Sequence, residues 1–281
     1  MSSHGSKTWF ITGASRGIGR ELAERILARG DRVAATLRRP EQLDDLAAEY
    51  GDRLRRYRLD VTDTAQLDTV VGTAFADLGR IDVVVSNAGF GVLGVAEDLT
   101  DDQVERSIAT NLTASIHLAR RVVPHLREQG GGVLVQMSSM GGHIAFPKFG
   151  IYHATKWGIE GYFEALALEV EPFGIKTILV EPGMVRTSFY DAAERVPLSA
   201  PYRGGPADTP SPPVEDMPAS QSGVAHATIE AALSDDPPLR LLLNSDAYEN
   251  VTSALRERLA AFEARRDAAY AADAEVTAKP S

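Results

Sequence analysis

The sequence predicts an α/β fold, a doubly wound parallel sheet with helices on both faces. Three observations carry that expectation. Apolar strand-like runs alternate with helical periods from Lys7 to about Asp246, and such alternation closes into parallel strands joined by right-handed crossovers. The first run passes directly into the glycine-rich turn Gly13-Ala14-Ser15-Arg16-Gly17-Ile18-Gly19 and then a helix, which is the opening of a dinucleotide-binding unit of the Rossmann type. A central apolar strand ends in Ser86-Asn87-Ala88-Gly89, small residues that let a cofactor lie close over the backbone.

The chain's 281 residues suit one large α/β domain or two small ones. The elements fit a single domain over residues 1–272, with a flexible tail at 273–281. A formal net charge of −10 argues against nucleic acid or an anionic membrane as the main partner, since both select a basic surface. Without cysteine there is no disulfide framework, thiolate metal site or cysteine nucleophile, and no other metal-ligand spacing emerges. Met1 to Ser6 is short and polar, unlike a secretory signal, and no apolar run reaches membrane-spanning length. The expectation is a soluble, cytoplasmic protein, with a homodimer or homotetramer left open.

Lys7–Thr12 reads as the first buried strand, and the helix after the glycine turn runs to Arg29 with Leu22, Ile26 and Leu27 inward. In the turn, Gly13, Gly17 and Gly19 let the backbone bend and approach a pyrophosphate, whose charge is met by amides and the positive end of the helix. Gly30 caps that helix, and Arg32–Leu37 closes a βαβ unit whose far end meets an adenosine ribose. Where an acidic residue would select a free 2′-hydroxyl, the chain has Leu37, Arg38 and Arg39, with Arg16 in the turn. Guanidiniums suit a 2′-phosphate, which they grip with forked hydrogen bonds. The expected cofactor is therefore NADP(H), with Arg39 one residue further along and free to point away.

A helix over Glu41–Tyr50 leads to Arg53–Leu59, whose four arginines mark a sheet edge. Its end, Asp60-Val61, lies where a carboxylate reaches an adenine amino group. Asp63–Leu78 is the next helix and Ile81–Val85 the apolar central strand. The capping box Thr100-Asp101-Asp102-Gln103 starts a helix running towards Arg127; within it Asn111, a poor helix-interior residue, is a candidate for hydrogen bonding. Gly132–Met137 is a buried strand ending in Ser138-Ser139, only one of which should face the site, because side chains alternate.

The candidate chemistry centres on Tyr152 and Lys156. Four residues apart in a helical pattern that runs to about Phe173, they stack on one helix face. A free phenol titrates near pH ~10, and lowering that by ~3 units takes about 4 kcal/mol, within reach of an ammonium one turn away and shielded from water. His153 points off that face and is read as structural.

With Thr12-Gly13-x-x-x-Gly17-x-Gly19, Asn87-Ala88-Gly89 and Tyr152-x-x-x-Lys156 in this order, the chain resembles the short-chain dehydrogenase/reductase family over nearly its whole length to about Asp246. Its long carboxyl-terminal helix and lid resemble the hydroxysteroid-dehydrogenase-like branch. The resemblance implies the strand order 3-2-1-4-5-6-7. It implies a catalytic set of Asn111, Ser139, Tyr152 and Lys156, with Ser139 chosen because it lies thirteen residues before the tyrosine. It implies cofactor contacts from Gly13, Ser15, Arg16, Gly17, Ile18, Gly19, Arg38, Asp60 and Val61, from Asn87, Ala88 and Gly89, and from Tyr152 and Lys156. Pro182, Gly183, Val185 and Thr187, after the strand Ile175–Val180, resemble the segment that binds the nicotinamide.

Residues 188–222, proline-rich and without sustained period, resemble the family's substrate lid. Phe90, His143, Phe146, Phe149, Met184, Phe189 and Tyr190 lie where a pocket for an apolar or aromatic carbonyl compound or alcohol belongs. A helix at Gly223–Leu233, a last strand at Leu239–Leu243 and a carboxyl-terminal helix at 245–272, striped with Val251, Leu255, Leu259 and Phe262, complete the domain. The implied function is hydride transfer between NADPH and a ketone, aldehyde or secondary alcohol. Tyr152 would give the proton, Ser139 hydrogen-bond the oxygen, Lys156 lower the tyrosine pKa and hold the nicotinamide ribose, and Asn111 position a water. The alternative, an NADP(H)-binding sensor or scaffold without turnover, would be marked by loss of Tyr152, Lys156 or Ser139, and all three are present.

Overall fold

The computed structural model describes residues 5–210 and 212–276. One sheet holds seven parallel strands: β1 (Thr8–Thr12), β2 (Arg32–Leu37), β3 (Leu54–Arg58), β4 (Val83–Ser86), β5 (Gly132–Met137), β6 (Ile175–Pro182) and β7 (Arg240–Leu243). Their spatial order is 3-2-1-4-5-6-7, as the resemblance implies.

Strict alternation along the strands builds two cores. Trp9 and Ile11 of β1, Val83 and Val85 of β4, and Val135 and Met137 of β5 face one side of the sheet. Phe10, Val84 and Leu134, each next to one of them in its strand, face the other, because successive side chains point to opposite faces. Helices α1 (Gly17–Ala28) and α8 (Gln221–Ala232) cover the first side; α3 (Thr64–Leu78), α5 (Ala114–Glu128) and α6 (Gly150–Val170) cover the second. β3 lies at one edge of the sheet, where Arg55 and Arg58 are exposed and discourage pairing with another chain.

Local chemistry fixes the helix starts. Asp63 caps α3 by accepting from the amides of Ala65 and Gln66, and Thr100 forms the expected capping box with Gln103 at α4 (Asp101–Ile108). The long helix expected after Thr100 is interrupted: Ala109–Thr113 is a π turn, with Asn111 inside it. Glu41–Tyr50 divides into a 3₁₀ turn, Pro40–Leu43, and α2 (Asp44–Tyr50).

The single carboxyl-terminal helix expected at 245–272 is two helices, α9 (Ser245–Glu263) and α10 (Arg266–Val276). Neither glycine nor proline marks the break. Of the expected stripe only Val251 is buried, while Leu255, Leu259 and Phe262 are exposed. The tail expected from 273 begins inside α10, and its residues 277–281 lie outside the described residues. No helix among the described residues is long and apolar enough to cross a membrane.

Candidate active site

A cavity of about 970 Å³ opens over the carboxyl ends of the strands. It is lined by the glycine turn after β1, the ends of β2, β4, β5 and β6, the first turns of α6, and residues of the 188–222 segment. This is the crevice where open α/β sheets take ligands.

Glycine is required in the turn by close approach. Gly13 has φ +69°, and a Cβ on it would meet the Ala88 Cα at 2.8 Å. Gly19 does not line the cavity. A Cβ there would collide with the Asn87 amide and the Gly13 carbonyl, so its place is in the packing of α1 against β1 and β4. Asn87 is the clasp between these strands: its Nδ2 donates to the Thr12 carbonyl at 2.9 Å and the Gly13 carbonyl at 3.2 Å, and its amide donates to Thr12 Oγ1 at 2.9 Å. Every other residue expected to contact the cofactor lines the cavity.

Arg16 and Arg38 line the cavity and are exposed; Arg39 does not line it. Among the described residues, no carboxylate lies within ion-pair distance of Arg16 or Arg38, in contrast to Arg20, which pairs with Glu24 and Asp45. Asp60, beyond β3, accepts from the amide of Thr62 at 3.0 Å and its hydroxyl at 2.7 Å. The Thr62 hydroxyl, with some help from Arg38, holds its carboxyl below the usual range.

At the end of β5 the two serines part as alternation requires. Ser138 Oγ turns away to donate to the buried Glu160 carboxylate. Ser139 Oγ accepts from the Gly141 amide at 3.0 Å and stands by Tyr152. Burial pushes the Tyr152 phenol up, and hydrogen bonding with Ser139 opposes the push. Lys156 Nζ lies 5.6 Å from the Tyr152 ring centre and donates to the Met137 carbonyl at 2.9 Å. Burial pushes the lysine down to about 8, against the pull of Glu160. Where the sequence suggests a phenol lowered by the adjacent ammonium, the largest influence on Tyr152 is burial, which favours its neutral form.

Asn111 is 2% exposed, and both ends of its amide are committed. Nδ2 donates to the Phe90 carbonyl at 2.9 Å and Oδ1 accepts from the Phe90 amide at 3.0 Å. The hydrogen-bonding role read from the sequence has the Phe90 backbone as its partner, and each end of the amide keeps one further hydrogen-bonding position. A π turn widens the helix at this point, a feature common at functional sites.

Phe90, Phe146, Phe149, Met184, Phe189 and Tyr190 line the cavity. Phe189 packs edge-on to Tyr152 with ring centres 5.7 Å apart. His143 does not line it; its Nε2 lies 3.1 Å from Glu181 Oε2, behind the wall. His153 is structural as expected, with Nδ1 2.9 Å from the Gly141 carbonyl and Nε2 accepting from the Phe146 amide at 2.9 Å. That pairing fixes the proton on Nδ1.

The 188–222 segment, which contains the short helix α7 (Phe189–Ala192), is held to the body at several points. Residues Glu194–Arg195 pair in parallel with Val92–Leu93, and Ala219–Ser220 with Val185–Arg186. Glu194 accepts from Arg106 Nη2 at 3.0 Å, the Ser199 amide donates to Asp98 Oδ2 at 3.1 Å, and Lys148 Nζ donates to the Thr209 carbonyl at 2.9 Å. Lys148 and Arg106, both lining the cavity, carry no signal in the sequence. Glu160 is a further omission, although its spacing from Lys156, one helical turn, marks it.

Residues 7–195 match the family model of the short chain dehydrogenases, and the chain belongs to that family. It is 38% identical over 249 residues to oxidoreductase BOA17 of Botryotinia fuckeliana (strain B05.10), covering 87% of this chain and 91% of that one. Among solved structures, a short-chain dehydrogenase from Streptomyces avermitilis superposes with a TM-score of 0.89 at 36% identity, over 95% of this chain and 99% of that chain. An alcohol dehydrogenase from the archaeon Thermococcus sibiricus, complexed with 5-hydroxy-NADP, superposes with a TM-score of 0.72 at 26% identity, over 86% of this chain and 97% of that chain.

Proposed function

We propose that this short-chain dehydrogenase uses NADP(H) to interconvert an apolar or aromatic ketone or aldehyde with its alcohol. The observation that carries the reading is the meeting of Ser139, Tyr152 and Lys156 on one wall of a cavity whose far reach holds two guanidiniums, Arg16 and Arg38. The ends of β2 and β5 are three strands apart, about 14 Å at the usual spacing, so adenosine and nicotinamide halves have separate berths. Gly13, Ser15, Gly17 and Ile18 would hold the diphosphate, Asp60 and Val61 the adenine, and Asn87 to Gly89 with Pro182, Gly183, Val185 and Thr187 the nicotinamide half. When bound, the cofactor supplies the hydride in reduction and accepts it in oxidation.

The chain's own residues handle the proton. A substrate oxygen between Ser139 and Tyr152 gains charge as its carbon is reduced; the buried, neutral phenol gives it a proton, and the serine hydroxyl stabilises it by a hydrogen bond. Lys156 stabilises the phenolate left behind, an attraction strengthened by exclusion of water. The aromatic wall excludes water and favours an apolar substrate. One sheet that draws strands from Thr8 to Leu243 supports treating 1–272 as a single domain. Purified protein given NADPH and a panel of apolar ketones and aldehydes should consume cofactor and carbonyl one for one; consumption of neither across the panel would count against the reading.

Cofactor choice rests on the arginines. One charge-assisted contact is worth roughly 1.5–3 kcal/mol, so each effective arginine should favour NADPH by about ten- to a hundredfold. Arg38→Ala should weaken NADPH far more than NADH, and Leu37→Asp with Arg38→Ala should move preference towards NADH. The ratio of kcat/KM for the two cofactors measures this. A wild type that prefers NADH, or a ratio unmoved by Arg38→Ala, would remove the basis for naming NADP(H).

The 188–222 segment acts as the substrate lid in this account, because Phe189, Tyr190, Pro206 and Thr209 form part of the cavity wall. Its amides should become more protected from hydrogen exchange in a ternary complex than in the cofactor complex. Equal protection in the two complexes would argue for a fixed wall.

A further inference from the structure

Behind the wall that carries Lys156 lies a buried charged set that the proposed chemistry does not use. Glu160 and Glu181 are 6% and 2% exposed. Arg240, reaching in from β7, contacts Glu160 Oε2, Glu181 Oε1 at 3.3 Å and the solvent-facing Glu164 at 2.9 Å. His143 stands 3.1 Å from Glu181 and 3.9 Å from Glu160. The His143, Glu160 and Glu181 polar atoms lie within 4.8 Å of one another, and Arg240 bonds both carboxylates.

We propose that Glu160 is a positioning residue for the reaction proposed above: its buried carboxylate is the fixed counter-charge that keeps the Lys156 ammonium protonated within an apolar wall. Lys156 and Glu160 are one turn apart on α6, which places them on the same face. Each is anchored to the end of β5 at successive residues, Lys156 by the Met137 carbonyl and Glu160 by the Ser138 hydroxyl. The Gly142 backbone closes over Glu160, since a Cβ at Gly142 would meet the Glu160 Cγ at 2.7 Å. The carboxylate is thus fixed one turn from the lysine on the same helix face rather than free to swing to solvent.

Charge balance gives the lysine its part. Two buried carboxylates, Glu160 and Glu181, meet one partly exposed guanidinium, Arg240, which also pairs with Glu164, leaving carboxylate charge that the Lys156 ammonium offsets. Buried charges persist where they are paired in this way. Burial pushes the Glu160 carboxyl up and Glu181 adds to the push, while the Ser138 hydroxyl, Arg240 and His143 hold it down. Besides these groups, Tyr152 on α6 is the titratable neighbour of Lys156 on its cavity side. A purely structural salt bridge between α6, β6 and β7 would tie Glu160 to stability and leave the lysine indifferent to it.

The full chain has five lysines, so lysine labelled with ¹³C at Cε gives few signals, and the one absent in Lys156→Arg is that of Lys156. Its pH titration in the free protein should have a midpoint near about 8 in the wild type. In Glu160→Gln the midpoint should fall by about one unit, and Glu160→Asp should restore part of the shift. Should Glu160→Gln fail to fold, Ser138→Ala removes only the hydroxyl that steadies the carboxylate, and a smaller fall is expected. A midpoint unmoved in the folded variants would overturn the proposal. The basic limb of the kcat profile, followed with a substrate that turns over, separates the two readings. If the lysine midpoint falls and that limb follows it, Glu160 acts on the reaction through Lys156; if the midpoint falls and the limb stays, the place of Lys156 in turnover is what fails.

Discussion

Tyr152→Phe should lower turnover by ~10²–10⁴ while leaving cofactor binding intact, because it removes the proton donor and keeps the ring. The ring is a packing element in its own right: it contacts Phe189 edge-on at 5.7 Å and Phe149 at 6.3 Å between centres. Phenylalanine preserves those contacts, so the loss should fall on kcat with little change in stability. Burial already holds the phenol protonated, hence activity in the reductive direction should not require deprotonation of Tyr152 on the acid side. Steady-state kinetics with fluorescence titration of NADPH checks both halves. Near-normal turnover in the variant would mean that another group delivers the proton.

Lys156→Met should do two opposite things. Turnover should fall by at least ~10² with loss of the cation beside Tyr152, yet the free protein should become more stable by about 1–3 kcal/mol at neutral pH. The reason is the burial of the ammonium, which moves its pKa from an ordinary 10.5 to about 8. The sign follows from proton binding. Between these two values the unfolded chain holds more protons than the folded one, so the stability of the wild type rises with pH through that window. Below about 8 the cost of the buried charge is present in full; as pH climbs towards 10.5 it disappears. Loss of the bond to the Met137 carbonyl takes back about 1 kcal/mol. Urea unfolding of both proteins should show the variant ahead at pH 7 and the gap narrowing towards pH 10. A variant less stable than wild type at pH 7 would contradict the burial argument.

How much of this could be read from the sequence depended on how local each cause is. Alternation in β1, β4 and β5 is a period-two signal that the sheet only has to obey, and the edge position of β3 was written in its arginines. Asp63 and Thr100 cap helices through bonds that span two or three residues. The interruption at Ala109–Thr113 was not legible, because the π turn is paired with a tertiary bond, Asn111 to the Phe90 backbone, that no propensity contains. His143 went to the wrong place for the same reason: a histidine after a strand end suits a pocket until Glu181 on β6 and Glu160 on α6 are seen behind it. In the 188–222 segment proline breaks any period, so its order comes from anchors such as Glu194 with Arg106, 88 residues away in sequence. The tyrosine and lysine were legible because helix geometry alone brings them together. What their spacing did not reveal was the direction of the pKa shifts, which burial decides.

The claim most directly open to test is that hydride passes from the nicotinamide to a carbonyl carbon within this cavity. NADPH carrying deuterium at the transferable position of the nicotinamide, turned over with a ketone that the protein reduces, tests this directly by mass spectrometry of the product. The label should appear on the carbinol carbon of the alcohol, with one face of the cofactor used, and should be absent from parallel reactions with Tyr152→Phe over the same time. Unlabelled alcohol, or labelled alcohol formed as fast by the phenylalanine variant, would contradict the assignment of this site.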